Sequence, residues 1–458
     1  MTTPNSSPFT AFFKWANLLL IITGCAALVL YRISLRAHTG PDILWFLKIA
    51  LVQCALYVFV TWLAIKARAA RSTLIIVIVF AVLFRLSLLF SPPYLSDDIY
   101  RYIWDGRVQA AGINPYRYVP ADSPLAQLRD GEIYPRINRK DYARTIYPPL
   151  AEAVFFLTTR ISESVTWMKA TMVLFEALAL WAIAQLLASF GLPRQRILLY
   201  AWHPLVVWEF AGSGHADSIA IALIALALLA RSRNSEIGTG ISLAGATLGK
   251  VFPFVLFPAF YKRWGWKMPV AFLIAIVVGY LPYLGVGLTR ALVFLFGDAP
   301  ERGIEGGKDF FLLTAVRRLP LGFHVPTAAF VVFAVLIGAV LSSWMIARRN
   351  EHYVANALII GSVFVVLVSP HFPWYFAWLI LFLCLIPDPA VIYLTVASFL
   401  MYLTWLGDAP NQLLKMKGGI YVPAFVLWAS MVWWRRRKRL SADHADYADG
   451  KKIPHIGP

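Results

Sequence analysis

The sequence predicts an all-α polytopic membrane protein of about 12–14 transmembrane helices or half-helices, and three observations predict it. Of its 458 residues, 59% are hydrophobic and 14% charged, with a mean hydropathy of +0.66. A water-soluble chain of this length does not show that balance. The apolar runs carry no period-two alternation, which removes the barrel strand. The net charge of +18 arrives in short basic clusters between apolar runs. Such clusters set helix orientation by staying cytoplasmic, and they do not form the continuous stripe that would track a nucleic acid.

Taken in order, apolar segments lie at 13–31, 43–65 and 73–91. The basic link KARAARS between the second and third is cytoplasmic by the same rule. The third segment therefore exits, and residues 92–166 form an outer loop. Within it, 97–110 has a helical pattern in which Ile99, Tyr102, Ile103 and Val108 share a face. Asn114-Pro115 signals a turn. TIYPPLAEAVFFL is too short to span and reads as an amphipathic helix lying on the outer surface. Segments 167–190, 196–212 and 217–231 then alternate inward and outward. The next run, ISLAGATLGKVFPFVLFPAFYKRWGWK, has basic flanks at both ends. A hairpin broken near Gly249-Lys250 and Pro253 keeps both flanks inside. Segment 268–287 leads to a second outer loop at 288–325, and segments 326–347, 353–369, 372–387, 389–406 and 420–434 follow. Residues 1–440 thus read as one transmembrane domain with both termini cytoplasmic, and 441–458 as a disordered tail. Cys25, Cys54 and Cys384 all lie in apolar segments, as packing residues rather than a disulfide or metal framework.

This topology uses lysines and arginines alone. It nevertheless puts Asp97, Asp98, His215, Asp217, Lys250 and His371 at one face. The stretch Ser96–Tyr118 (SDDIYRYIWDGRVQAAGINPYRY) carries Asp97 and Asp98 just past a helix end. Adjacent carboxylates suit a general base and a partner that orients it; the structural alternative is a helix N-cap by Ser96 or Asp97. Arg101, Arg107, Arg117, Lys250, Arg317 and Arg318 are candidates for a phosphate, and arginine suits planar bidentate contacts. For each arginine alone, the alternative is contact with lipid headgroups. Lys250 interrupts an apolar run, where an ionisable residue marks a functional site by default. His215 and Asp217 in SGHADS suit hydrogen bonding or acceptor positioning better than metal binding, because eight scattered histidines form no cluster. His371 and Trp374 in HFPWYFAW fit an aromatic interface belt, and also a wall that stacks on a sugar.

At these residues the sequence resembles the GT-C superfamily of integral-membrane glycosyltransferases. SDDIYRY resembles the acidic first-loop motif of aminoarabinose transferases and protein O-mannosyltransferases. YPPLAEAVF, from Tyr147 to Phe155, is similar to the surface helix that follows it in those enzymes. HPLVVWEFAGSGHAD resembles the Asn-Pro-Leu…Gly-His-x-Asp segment of bacterial mannosyltransferases that use polyprenol-phosphate mannose. GATLGKVFPFVLFP and SPHFPWYFAW are similar to later family elements. The matches keep the family's order across 96–378. Two departures stand out: the acidic loop follows the third apolar segment rather than the first, and His203-Pro204 replaces Asn-Pro.

The resemblance implies a sugar, with mannose first, moved from a polyprenyl-phosphate donor to a glycan or lipid-linked acceptor at the outer face of a bacterial inner membrane. It implies inversion, with Asp97 or Asp98 as the base. Arg101, Lys250, Arg317 and Arg318 would hold the donor phosphate. Tyr102, Arg107, Tyr147, His215, Asp217, His371 and Trp374 would position substrate. It leaves room for Mg²⁺ or Mn²⁺, which some family members use and others do not. Membrane lipids are expected neighbours, and nucleic acid is not a partner. The competing class is a secondary transporter or lipid flippase, whose site would lie near the midplane between repeats; no internal repeat is visible.

Overall fold

The structure is a computed structural model that describes residues 8–35, 42–66, 70–292, 310–320, 324–348, 352–407 and 411–448. Helices α1 (Pro8–Ser34), α2 (Ile43–Lys66) and α3 (Arg71–Leu89) come first. The polar stretch then supplies α4 (Asp98–Ala110) and α5 (Pro149–Thr159). After α6 (Val165–Ser189) the chain breaks into α7 (Leu198–Ala201), α8 (Pro204–Val206) and a π turn at Val207–Gly212. Next come α9 (Asp217–Ser232), α10 (Glu236–Gly249), α11 (Phe257–Phe260), α12 (Lys267–Tyr280) and α13 (Leu288–Ala291). The remainder comprises α14 (Phe311–Val316), α15 (Thr327–Ala347), α16 (Tyr353–Val368), α17 (Ala377–Leu383), α18 (Pro389–Ala397) and α19 (Gln412–Ala448). No strand occurs among the described residues.

The protein is an all-α polytopic membrane protein. Among the described residues, seven helices are long and apolar enough to cross a bilayer, and three shorter apolar helices accompany them. Apolar side chains along these spans face outward, as Val52, Leu86, Leu273 and Val335 do; lipid is the solvent that such faces require. The expected helix at 97–110 is α4, and Ile99, Tyr102, Ile103 and Val108 are all buried. The short run expected to be helical after it is α5. The last helix continues through Ala448, and residues 449–458 lie outside the described residues. Most of the second expected outer loop, at 293–309 and 321–323, also lies outside them. Cys54 and Cys384 are buried as expected. Cys25 is exposed on the outward side of α1, a face that apolar solvent can cover.

The N-terminal trio packs on the broken segment 198–212 and supplies what its backbone lacks. A broken helix frees peptide groups that must be satisfied inside a bilayer. The Tyr57 hydroxyl donates to the Leu199 carbonyl at 2.9 Å, and Trp202 Nε1 donates to the Val77 carbonyl at 2.9 Å. Trp208 Nε1 donates to Gln53 Oε1 at 2.9 Å. Arg85 pairs with Glu176 at 2.8 Å in the same interior. His203 explains its own departure from Asn-Pro. Its Nδ1 accepts from the Leu205 amide at 3.2 Å, so the imidazole takes the N-cap position that an asparagine side chain would fill.

The break expected near Lys250 is present. α10 stops at Gly249, Lys250 is extended (φ −156°, ψ 140°), and a 3₁₀ turn at Phe252–Leu256 leads into α11. Arg231 Nε then donates to the Phe260 carbonyl at 3.1 Å, and Arg263 donates to the Ala347 carbonyl at 3.4 Å. These bonds gather the basic ends of α9, α11 and α15. The hairpin therefore returns to the end it left, as two basic flanks require.

Two hydrophobic cores result. The larger joins the helical bundle through residues such as Phe46, Trp208, Trp378 and Tyr402. The smaller lies under the polar stretch, where Tyr102, Ile103, Trp104 and Phe155 meet Met168, Met172 and Ile219.

Candidate active site

α4 begins where the acidic pair needs it. Ser96 Oγ accepts from the Asp98 amide at 3.2 Å, whereas Asp97, at the N-cap position, makes no side-chain cap. The capping duty falls to serine and the Asp97 carboxylate is left for the cavity beside it. That cavity has a volume of about 370 Å³ and is lined by both aspartates, Arg101, Tyr147, Lys250 and Trp374. Arg139, Arg144 and Tyr375 also reach it. Asp97 is exposed to this space. Its acid is pushed above the ordinary aspartate range, first by the desolvating walls and then by the charge of Asp98, with Arg136 opposing. Asp98 is held differently. Its Oδ1 accepts from Asn138 Nδ2 at 2.6 Å, and its Oδ2 lies 3.8 Å from His215 Nδ1.

A second cavity of about 330 Å³ shares a wall with the first. Ile146, Tyr147, Lys250, Phe372 and Tyr375 line both. Beyond them the second cavity is apolar, bounded by side chains such as Phe252, Val255, Phe364 and Val368, with His371 at its edge. Lys250 stands at the junction. Its Nζ is 3.0 Å from Asp217 Oδ2 and lies over the ring of Tyr375, 5.1 Å from the centroid. A charged group thus sits where a polar chamber meets an oily one.

The aromatic wall is built from the loop after α16. Trp374 stacks between Phe372 (4.5 Å between centroids) and His215 (4.1 Å). His215 reaches it through Gly214, whose φ of +77° is the left-handed turn that favours glycine. A Cβ there would lie 2.5 Å from Ile99 Cδ1, so that side chain would have to shift. Tyr102 is buried face to face on Phe155 and edge-on to Tyr147.

The other expected residues divide. Arg101 lines the polar cavity, but its Nε is engaged by Asp105 at 2.8 and 3.0 Å and its Nη1 donates to the Ala143 carbonyl. Arg107 lines neither cavity; it pairs with Asp130 at 2.7 Å and Glu163 at 2.8 Å and ties the polar stretch together. Arg317 and Arg318 also line neither. Arg317 donates to the Val325 carbonyl and Thr327, and Arg318 to Asn411. Among the described residues, no group of three His, Cys, Asp or Glu side chains converges closely enough to hold a metal ion.

Three contributors escaped the sequence reading. Asn138 comes from a loop far along the chain. Glu209 is buried in the π turn. Glu152 lies in α5 and props the wall of the cavity: Thr145 Oγ1 donates to its Oε1 at 2.6 Å and Gln109 Nε2 to its Oε2 at 2.9 Å. Burial, followed by the neighbouring charge of Asp105, pushes its acid well above the ordinary glutamate range. An unfolded chain releases that proton near pH 4.3, as glutamates do. The folded chain keeps it to higher pH, so folded protein loses stability as pH climbs through that window. Thermal melting of wild type in detergent is expected to decline as pH rises above the ordinary glutamate range on this account, and Glu152→Gln, neutral throughout, is expected to flatten the decline. Parallel slopes in the two proteins would show that Glu152 is not the source.

Comparison with known proteins adds the following. Residues 19–265 match the family model described as "Alpha-(1->6)-mannopyranosyltransferase, N-terminal domain". The chain is 25% identical over 348 residues to an "Alpha-(1->6)-mannopyranosyltransferase A" of Mycobacterium tuberculosis, covering 69% of this chain and 67% of that one. It is 22% identical over 392 residues to the protein of the same name from Corynebacterium glutamicum, covering 75% of this chain and 78% of that one.

Proposed function

Because the chain belongs to the alpha-(1->6)-mannopyranosyltransferase family, whose members are GT-C glycosyltransferases, we propose that it moves a mannosyl unit from a polyprenyl-phosphate donor to a glycan or lipid-linked acceptor. The observation that carries this reading is the pair of cavities meeting at Lys250. A polyprenyl-phosphate sugar has three unlike parts, and the walls match them in order: an apolar groove for the lipid, a cation for the phosphate, a polar chamber for the sugar.

In this mechanism the acceptor hydroxyl enters the polar chamber beside Asp97. Asp97 takes its proton as the oxygen attacks the anomeric carbon. The bond from that carbon to the phosphate oxygen breaks on the opposite face, giving inversion, and the polyprenyl phosphate leaves. Negative charge grows on that phosphate in the transition state, and a fixed cation stabilises it there; Lys250 is that cation. Asp98, held by Asn138, orients the acceptor. Trp374 and Phe372 offer an apolar face to the sugar. Asp97 rather than Asp98 is the base because its carboxylate caps nothing and its raised acid strengthens it as a proton acceptor. By the charge rule the basic end gathered by Arg231 and Arg263 is the cytoplasmic one, which supports a site on the outer face; the membrane in this reading is a bacterial inner membrane, with both termini inside.

The test is transfer or donor hydrolysis by purified protein with a panel of radiolabelled polyprenyl-phosphate sugars. Turnover of the mannose donor is expected, and failure of every donor to bind removes the reading. Val255→Trp, which fills the apolar cavity, is expected to raise KM about tenfold for a long-chain donor with kcat unchanged. A two-isoprene donor is expected to feel little of it. Equal effects on both chain lengths would mean that the lipid lies elsewhere.

A further inference from the structure

Behind the acidic pair lies a buried line of polar groups that proton acceptance by Asp97 does not use. Glu209 is wholly buried. Its Oε1 accepts from the Tyr402 hydroxyl, and its Oε2 lies 3.4 Å from His215 Nε2. The His215 amide donates to the Glu209 carbonyl at 2.9 Å, so backbone geometry fixes the imidazole against this carboxyl. The other ring nitrogen faces Asp98 Oδ2 at 3.8 Å. The ring cannot swing away, because Trp374 covers its face. Neither ring nitrogen, nor Glu209 Oε2, completes a hydrogen bond among the described residues. Catalytic lines are often this loose without substrate and tighten on binding.

Counting protons shows what the line does. Among the described residues, His215 is the only group at ion-pair distance from Glu209. A buried, unpaired carboxylate is strongly unfavourable. With the Tyr402 hydroxyl donating to Oε1, the proton that relieves Glu209 lies on the Oε2 side, facing Nε2, whether as acid and imidazole or as carboxylate and imidazolium. Either way Nδ1 must carry hydrogen, and a donor faces Asp98. Without Glu209 the imidazole is free to put its single hydrogen on Nε2 and turn a lone pair towards the Asp98 anion.

We propose that Glu209 is a positioning residue for the sugar transfer: acting through His215, it keeps an N–H facing Asp98, and so orients the second aspartate and offsets its charge while the first accepts the proton. This inference rests on the reading above, in which Asp97 is the base. The other charged groups facing His215 are Asp217 from α9 and Lys250 from the helix break, already paired with each other. Across the cavity, Arg136 faces Asp97.

The experiment measures kcat, KM and pH profiles of full-length Glu209→Ala, Glu209→Gln and Tyr402→Phe with polyprenyl-phosphate mannose, beside Asp97→Asn. Glu209→Ala is expected to lower kcat about 100-fold with little change in donor KM. Its acid limb is expected to move up by about 1 pH unit, since an Asp98 charge no longer offset by the His215 N–H raises the Asp97 acid further. Glu209→Gln is expected to stay within about fivefold of wild type: its amide oxygen still accepts from Tyr402, and its NH₂ still donates to Nε2. A folded Glu209→Ala with wild-type kcat and an unmoved limb overturns the proposal, as does a Gln variant as impaired as the Ala one. If Glu209→Ala does not fold, Tyr402→Phe decides, with a smaller kcat loss and an upward limb shift expected and an unmoved limb overturning. Turnover by Asp97→Asn would instead remove the base assignment; loss there with an unaffected Glu209→Ala removes only this inference.

Discussion

Asp97→Asn is expected to lower kcat by about 10²–10⁴-fold, the range that a positioned general base contributes, while the protein melts as wild type does. The stability half of this expectation follows from the N-cap. Ser96 Oγ binds the Asp98 amide, and the Asp97 side chain caps nothing. An amide of the same shape therefore disturbs no structural bond, but it cannot accept a proton. Asp98→Asn is expected to act differently. It keeps an oxygen for Asn138 but loses a charge beside Asp97, so the Asp97 acid falls back towards its usual range and becomes a weaker base. The loss should be smaller, with the acid limb of kcat/KM moving down. Wild type should lose activity on the acid side above the ordinary aspartate range, because desolvation and the Asp98 charge both raise the Asp97 acid. Full turnover in Asp97→Asn with a dead Asp98→Asn would exchange the two roles.

Lys250→Met is expected to be the second most damaging change, for two separable reasons. It removes the cation proposed to meet the leaving phosphate, worth about 10²–10³-fold in turnover. It also leaves Asp217 buried and alone. The pair is 3.0 Å long, with side chains 15% and 2% exposed, and stripping one partner from a buried pair costs about 3–5 kcal/mol. The double variant Lys250→Met/Asp217→Asn separates the effects. It is expected to regain most of the melting temperature and none of the turnover. Recovery of both would mean that Lys250 only holds α9 to the helix break.

Much of this arrangement was legible because charge is scarce in an apolar chain. Each polar residue that orientation did not explain had to be somewhere useful. Asp97, Asp98, His215, Asp217 and Lys250 do meet, with His371 lining the adjoining cavity, as the basic clusters suggested from topology alone. The break at Gly249–Lys250 was legible for a related reason: basic flanks at both ends of a single run cannot lie at one end of a bundle unless the run turns back. The arginines were harder to place. Their side chains are long and serve equally as ligands, anchors and loop ties, and Arg107, Arg317 and Arg318 turn out to engage neighbouring loops. Glu209 was hidden inside HPLVVWEFAG, where a carboxylate looks like an interruption. No hydrophobic period reports a π turn, so its direction could not be inferred. Asn138 had no local signal, because its partner Asp98 is forty residues away.

The smaller core beneath the polar stretch has a consequence for how the molecule is made. Tyr102, Ile103 and Phe155 share their core with Met168, Met172 and Ile219 from later in the chain, and the far walls of the cavities wait for Lys250, Phe372 and Trp374. A ribosome that has finished the acidic pair has made none of these. A stalled or truncated chain therefore carries the aspartates without the chamber that the complete chain builds around them.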